Sequence, residues 1–340
     1  MTFARVHLRD VVRWLGLALA LALLGKLLLG PEAAAGFLLL RDLGPRLLFG
    51  LLPFLAFEVI DTAAWRRLIR SLGHAPRYLA LLRARMSLEA INLTLPAGAA
   101  VAEALTPSLL QRGCEVALGD GVVALAARRW TVLRAHAVYL SLGALAGFLL
   151  GVGPAALPWS SLVFAAVASG GASAARRLFT ERSGSLRLEA LLERLPGRLH
   201  VWFARRRASF AAVDRRFEIF AEAEKERWLA NTSLYVAAWL TESVETFLLL
   251  RLLGARLSFL EVLPVETCLS FVRGLAFLAP AGLGVQDLGY VTLFASLPRP
   301  LVLAFIAAKR GKELFWAAAG YLMLLARRAP LVPAAFSANP

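Results

Sequence analysis

Apolar residues in this chain gather into long runs separated by short polar stretches. Residues 12–29, 47–60, 132–152, 162–175 and 233–253 carry few charges. The hydrocarbon core of a bilayer, about 30 Å deep, takes about 20 apolar residues per helix. The runs therefore predict spanning helices, and an occasional charge within one is tolerated where it faces a protein interior. Residues 176–228 follow another pattern. Leu188, Leu191, Leu192, Leu195 and Leu199 recur at three- and four-residue steps, as do Phe210, Val213, Phe217 and Phe220, and Pro196-Gly197 splits the stretch in two. That spacing predicts amphipathic helices lying on a membrane surface. The expected fold is an all-α integral membrane protein with about seven spanning helices, residues 1–340 forming a single polytopic domain.

Composition strengthens this picture. The chain is 59% hydrophobic, above the half that soluble domains reach. Its net charge is +15, and with four Lys among 38 basic residues the charge is almost all Arg. In a soluble protein such a balance points to nucleic acid. In a membrane chain it marks the loops that stay in the cytoplasm, so no nucleic-acid partner is expected. Between Asp61 and Glu89 there is no acid, yet Arg66, Arg67, Arg70, Arg77, Arg83 and Arg85 fall there. The loop 30–46 instead balances Glu32 and Asp42 against Arg41 and Arg46. This asymmetry puts residues 65–86 and the N-terminus in the cytoplasm and 30–46 outside. Residues 176–230 form the expected basic amphipathic cytoplasmic segment. The N-terminal apolar run is long for a signal-peptide core, so it is read as a retained helix. The expected location is the inner (plasma) membrane of a prokaryote. Counting helices as simple spans leaves Arg327-Arg328 outside, unless one segment is re-entrant.

Cys114 and Cys268 sit in apolar surroundings and form no metal spacing or disulfide framework. His7, His74, His136 and His200 are dispersed. No metal, cofactor or catalytic residue is therefore expected. Gly143, Gly147 and Gly151 form a small-residue stripe on one helix face, expected to pack against a neighbouring helix of the same chain.

The chemistry lies in an internal repeat. Pro96-Ala97-Gly98-Ala99-Ala100-Val101-Ala102-Glu103 matches Pro280-Ala281-Gly282-Leu283-Gly284-Val285-Gln286-Asp287 at an offset of 184 residues, with four of eight positions identical and an acid last in both. Each copy follows an apolar stretch and precedes a helix-like stretch that ends in a basic pair, Arg128-Arg129 or Lys309-Arg310. The repeat cores are read as residues 84–130 and 258–312. Proline ends a helix near Pro96 and near Pro280. Gly98, Gly282 and Gly284 would leave backbone amides open to a ligand. The half-helix that starts there carries partial positive charge at its N-terminus, which attracts phosphate or carboxylate. Helices broken at matching places in two halves are the sequence pointer to a transporter's midplane site. Two broken or re-entrant hairpins forming an inverted repeat are thus expected. Glu103 and Asp287 would line one cavity as unpaired carboxylates, with Arg112 or Arg273 near its entrance. Glu58 and Asp61, close to the basic loop, read as structural ion-pair partners. Glu242 and Glu245 share a helix face.

Residues 92–112, with Asn92, Pro96, Gly98, Glu103 and Arg112, resemble the first signature of the flippase-like membrane domain of lysylphosphatidylglycerol synthases. Residues 280–287 resemble its second, Pro-x-Gly-x-Gly-x-x-Glu, with Asp287 in place of Glu. The first stretch is Ala-rich where Arg or Gly is frequent in the family. The family includes stand-alone members linked to hopanoid and archaeal glycolipid pathways. The resemblance implies lipid translocation, with Asn92, Pro96, Gly98, Glu103, Arg112, Arg273, Pro280, Gly282, Gly284 and Asp287 as substrate-binding residues. About a dozen residues follow Arg328, too few for the synthases' aminoacyl-transferase domain, so no enzyme activity is expected. No G-x-x-x-x-G-K-[ST] occurs, which leaves an ion or lipid gradient as the drive. The expected substrate is a membrane lipid with an anionic, phosphate-bearing or glycosylated head group. Alternatives are a non-catalytic partner of a lipid-biosynthesis enzyme at the cytoplasmic face, or a small-solute or ion transporter. A homo-oligomer is compatible with each.

Overall fold

The computed structural model describes residues 22, 25, 29–151, 153–180, 207–275 and 280–326. Most of the apolar run 12–29, the leucines of residues 188–199 and the pair Arg327-Arg328 lie outside the described residues. Every described element is helical. Helix α1 (Pro31–Leu43) leads through a 3-10 stretch (Gly44–Leu51) into α2 (Leu52–Arg70). Then come α3 (Tyr78–Thr94), α4 (Gly98–Cys114), α5 (Leu118–Leu150), α6 (Ala156–Thr180) and α7 (Arg207–Glu224). The chain continues with α8 (Trp228–Leu252), α9 (Phe259–Leu275), a 3-10 turn (Pro280–Gly282), α10 (Val285–Leu293) and α11 (Arg299–Leu325). Among the described residues, three stretches are long and apolar enough to cross a membrane by themselves: Pro31–Arg70, α5 and α8.

Both breaks form as their sequences dictate. Leu95, before proline, is pushed to an extended conformation (φ −97°, ψ 141°) and ends α3. Ala97 then takes the left-handed region (φ 55°, ψ 30°) and turns the chain back into α4. In the second copy Ala281 does the same (φ 50°, ψ 21°). This conformation costs a non-glycine residue about 1–2 kcal/mol. Among the described non-glycine residues only Glu115 shares it, so its presence at the two matched alanines marks one turn used twice. A side chain at Gly98 would collide with the carbonyl oxygens of Ile91 and Asn92, so glycine lets α4 fold back tightly against α3.

The hairpins enter from opposite ends. Both arms of the first, with Leu81 and Leu88 on α3 and Leu109 and Leu110 on α4, belong to a buried cluster that also holds Trp65, Leu68 and Phe217. Both arms of the second, with Val262 and Leu269 on α9 and Tyr290 on α10, belong to another cluster with Ala33, Leu250 and Leu301. Helix α8 joins the two, with Tyr235 in the first cluster and Leu250 in the second. Helix α11 runs from Leu301 in the second cluster to Tyr321 and Leu324 against the first. It therefore ends on the side of the basic loop, the outcome that a re-entrant segment allows. The hairpins are re-entrant and each returns the chain to the side it came from.

The halves interlock. The long helix α11 packs on α3 of the first hairpin, and the long helix α5 packs on α9 of the second. Gly320 of α11 lies against Met86 and Ala90 of α3, while Gly143 of α5 lies against Thr267 of α9. Gly147 meets Pro158 and Pro264, so two members of the small-residue stripe serve packing within the chain, as expected. Helices α2 and α8 pack on each other at the centre. The repeat units outrun the bounds read from sequence: the first hairpin begins at Tyr78, and the long helices run to Leu150 and Leu325.

Helix α7 docks on α5 and α6 by Phe217 and Phe220, both buried. Arg216 lies 3.4 Å from Asp120, which also meets His74 of the basic loop at 2.7 Å. The basic loop and the basic amphipathic segment thus share one face of the molecule. At the junction with α8, burial pushes the Glu224 carboxyl above its ordinary range, against two hydrogen bonds from Asn231.

Candidate functional site

Between the two clusters lies a band of buried charge. A lone charge at this depth costs several kcal/mol, so each must be closed by a partner. Arg128 donates to both oxygens of Asp61, at 2.8 and 2.9 Å, and Lys312 donates to both oxygens of Glu245, at 2.8 and 2.9 Å. The partners are 67 residues apart in both pairs. The offset that relates Pro96 to Pro280 also relates Asp61 to Glu245, Glu58 to Glu242 and Arg128 to Lys312. The repeat therefore extends upstream to α2 and α8 and places one ion pair twice. The terminal acids of the two short copies are closed too. Glu103 is paired with Arg129, and Asp287 takes two hydrogen bonds from Arg310, at 2.7 and 2.9 Å.

The surroundings of these pairs differ. Around Arg85 three carboxylates gather: Asp61 at 2.8 Å, Glu89 at 2.7 Å and Glu58 at 3.2 Å. In the second half Lys309 donates to Glu266 at 3.0 Å, to the Tyr290 hydroxyl at 2.6 Å and to Thr246 at 3.2 Å. Arg273 reaches both oxygens of Glu242 at 2.8 Å. The His136 ring stacks on Trp239 with centroids 4.3 Å apart and bonds Ser270 at 2.8 Å, tying α5 to α8 and α9.

The band borders an open-sided cavity of about 680 Å³ between the hairpins. Gly98 and Ala99 of the first break and Ala281 and Gly282 of the second all line it. Of the residues expected at the site, Asn92, Gly98, Glu103, Arg273 and Gly282 line the cavity, while Pro96, Gly284 and Asp287 stand outside its lining. Pro280 opens the second 3-10 turn. Arg112 sits in the last turn of α4, at the end of the hairpin far from the tip, and not at the cavity entrance.

The residue pattern has a known counterpart. A family model, Lysylphosphatidylglycerol synthase TM region, matches residues 13–325. The chain belongs to this family. No curated protein and no solved structure matches it. As a member of the lysylphosphatidylglycerol synthase TM region family, with helices long and apolar enough to span, it is an integral membrane protein with a lipid-related role.

Several expectations from sequence need correction. Glu103 and Asp287 are not unpaired. Asp287, almost fully buried, also accepts the Gly284 amide at 2.8 Å and so caps α10, which makes it part of the break's framework and not of the cavity wall. The amides at the breaks are not simply open, since Gly98 donates to the Leu95 carbonyl at 2.8 Å. Arg85 is not a loop residue. It lies two turns into α3, buried among carboxylates. Asp61 is the ion-pair partner that its position near the basic loop suggested. Sequence reading missed Glu89, Lys312 and the pairing of the two basic clusters. Applying the 184-residue offset to the acids of α2 and α8 would have found the repeated pair.

Proposed function

We propose that the chain moves a membrane lipid across the bilayer by receiving its head group in the central cavity, while the tails stay in the hydrocarbon. What carries this reading is the meeting of two oppositely inserted hairpins at one cavity, whose largely apolar wall carries paired charges, in the middle of the molecule. Such a meeting gives a site reachable from either end by small movements of one half against the other. The cavity holds charge without stranding it, because its cations and carboxylates already close on one another. A head group can exchange into a pair instead of being drawn into bare charge. Arg129 and Arg273 have the most accessible side chains among its guanidiniums, 43% and 24% exposed, and stand ready to meet a phosphate. The Arg-rich face is read as cytoplasmic and the membrane as the inner one, on the positive-inside tendency. No chemical step is assigned.

The test is reconstitution into liposomes containing a tail-labelled fluorescent phosphatidylglycerol, with dithionite added outside. A translocase exposes inner-leaflet label, so bleaching exceeds that of protein-free liposomes. Ala99→Trp, which fills the cavity from the first break, should return bleaching to the protein-free level. Wild-type protein that bleaches no more than empty liposomes would refute the reading.

A further inference from the structure

Glu58 stands apart from the bonding that closes the other charges of the band. It is fully buried, neither of its oxygens accepts a hydrogen bond, and Arg85 at 3.2 Å is the cation beside it. That guanidinium is already committed to Asp61 at 2.8 Å and to Glu89 at 2.7 Å. Arg128 gives itself to both oxygens of Asp61. The charged groups around Glu58 are thus Asp61 on its own helix, Arg85 and Glu89 on α3 and Arg128 on α5. Two hydroxyls stand near them, Tyr78 of α3 by Glu58 and Tyr235 of α8 by Asp61. Three carboxylates therefore share two guanidiniums. The neighbouring pair, Arg129 with Glu103, is closed and lends no charge. A net charge buried at this depth is strongly unfavourable, and one proton removes it.

The second half shows what the first lacks. There each carboxylate takes a charged hydrogen bond: Glu242 from Arg273, Glu245 from Lys312, Glu266 from Lys309, and Asp287 and Glu313 from Arg310. The offset of the repeat puts Glu89 in the place of Arg273 and Leu125 in the place of Lys309, so the first half has neither cation. Asp61 and Glu89 accept from guanidiniums, which favours their charged form and leaves Glu58 as the acid to hold the proton. A metal cation would need a cage of oxygens, and no cluster able to hold one occurs among the described residues. Glu58 lies one layer behind the cavity wall, which Asp61, Arg85 and Glu89 line. The proton comes from cavity water, bonds to one Glu58 oxygen, and returns to water when it leaves. Its loss sets three acids competing for Arg85 across α2 and α3, and α3 is an arm of the first hairpin.

We propose that Glu58 is a proton-binding site and that its proton moves with the lipid, which makes the carrier proton-coupled. The coupling rests on the reading of the cavity as a lipid head-group site. An anionic head group brings negative charge beside Asp61 and Glu89 and so strengthens the hold on the proton, and by reciprocity the proton strengthens the hold on the head group. Lipid and proton then travel in the same direction.

Infrared difference spectroscopy of the protein in liposomes, between acidic and alkaline buffer, tests the site without any transport. The wild type should show a protonated-carboxyl band that alkali removes, and Glu58→Gln should lack it. Glu89→Gln should lack it too, because two carboxylates then meet two guanidiniums, and this variant carries the test if Glu58→Gln does not fold. Absence of the band from the wild type, or its persistence in either folded variant, overturns the site. Coupling is tested in the same liposomes with tail-labelled phosphatidylglycerol and a pH step across the membrane. The wild type should gather label in the leaflet facing the alkaline buffer, beyond the shift in protein-free liposomes, and both variants should lose that excess. Flipping that ignores the pH step overturns the coupling and leaves translocation standing. The band without any flipping sinks the translocation reading, and the coupling with it, and leaves the proton site standing.

Discussion

Glu242 meets Arg273 with both oxygens at 2.8 Å, whereas Glu58, at the same place in the other half, accepts no hydrogen bond in the protein and only lies 3.2 Å from Arg85. The reason is one exchanged residue. The offset that takes Glu58 to Glu242 takes Glu89 to Arg273. Where the second half supplies a cation, the first supplies another acid, and Arg85 from the preceding turn must serve three carboxylates. The same exchange recurs on the long helices, where Arg129 corresponds to Glu313. The repeat thus keeps the places of these charges while changing the sign at two of them. The consequence is one half whose Glu242 is closed by two hydrogen bonds and another whose Glu58 accepts none.

The comparison breaks most visibly in the bonded half. Lys309→Met leaves Glu266 buried without its cation and should lower the unfolding free energy in detergent by about 3–5 kcal/mol. A loss as small as that of a surface pair, below about 1 kcal/mol, would mean that the network does not hold the second hairpin. Neutralising the matched acids sharpens the contrast. Glu242→Gln should cost about 1.5–3 kcal/mol, since it weakens a charged two-point contact. Glu58→Gln should stay within about 0.5 kcal/mol or stabilise, because the carboxylate it replaces has no donor. Equal losses at the two positions would erase the distinction. The finest test asks whether the repeated pair is equivalent in energy as well as in place. Double-mutant cycles on Asp61 with Arg128 and on Glu245 with Lys312 should give favourable couplings of about 0.5–3 kcal/mol each. Coupling in one half alone would leave the match a coincidence of numbering.

Much of this was legible in the chain. Proline, alanine and glycine in one order, twice, were enough to place both breaks, because proline forbids the residue before it to stay helical and glycine permits the close return. Apolar runs identified α5 and α8, and the opposite insertion of the hairpins followed from the loops that precede them. The partners of the charges were not legible. Whether Glu103 is free or closed by Arg129 depends on which residues of α5 face α4, and helical periodicity leaves that open when apolar residues surround the helix on all sides. Arg85 was misplaced for a related reason: an arginine counts toward a cytoplasmic loop until the acids that bury it are known. Asp287 looked like a ligand because a helix-capping acid and a substrate-binding acid occupy the same position at a helix start.

The claim on which the account stands is that a lipid head group occupies the cavity between the two halves. Native mass spectrometry of the protein taken directly from its membrane, wild type beside Ala99→Trp, tests it most directly. The account predicts that the wild type retains a lipid of one head-group class and that the cavity-filled variant, folded and of unchanged oligomeric state, loses it. Retention of the same lipid by both proteins, or by neither, would contradict it.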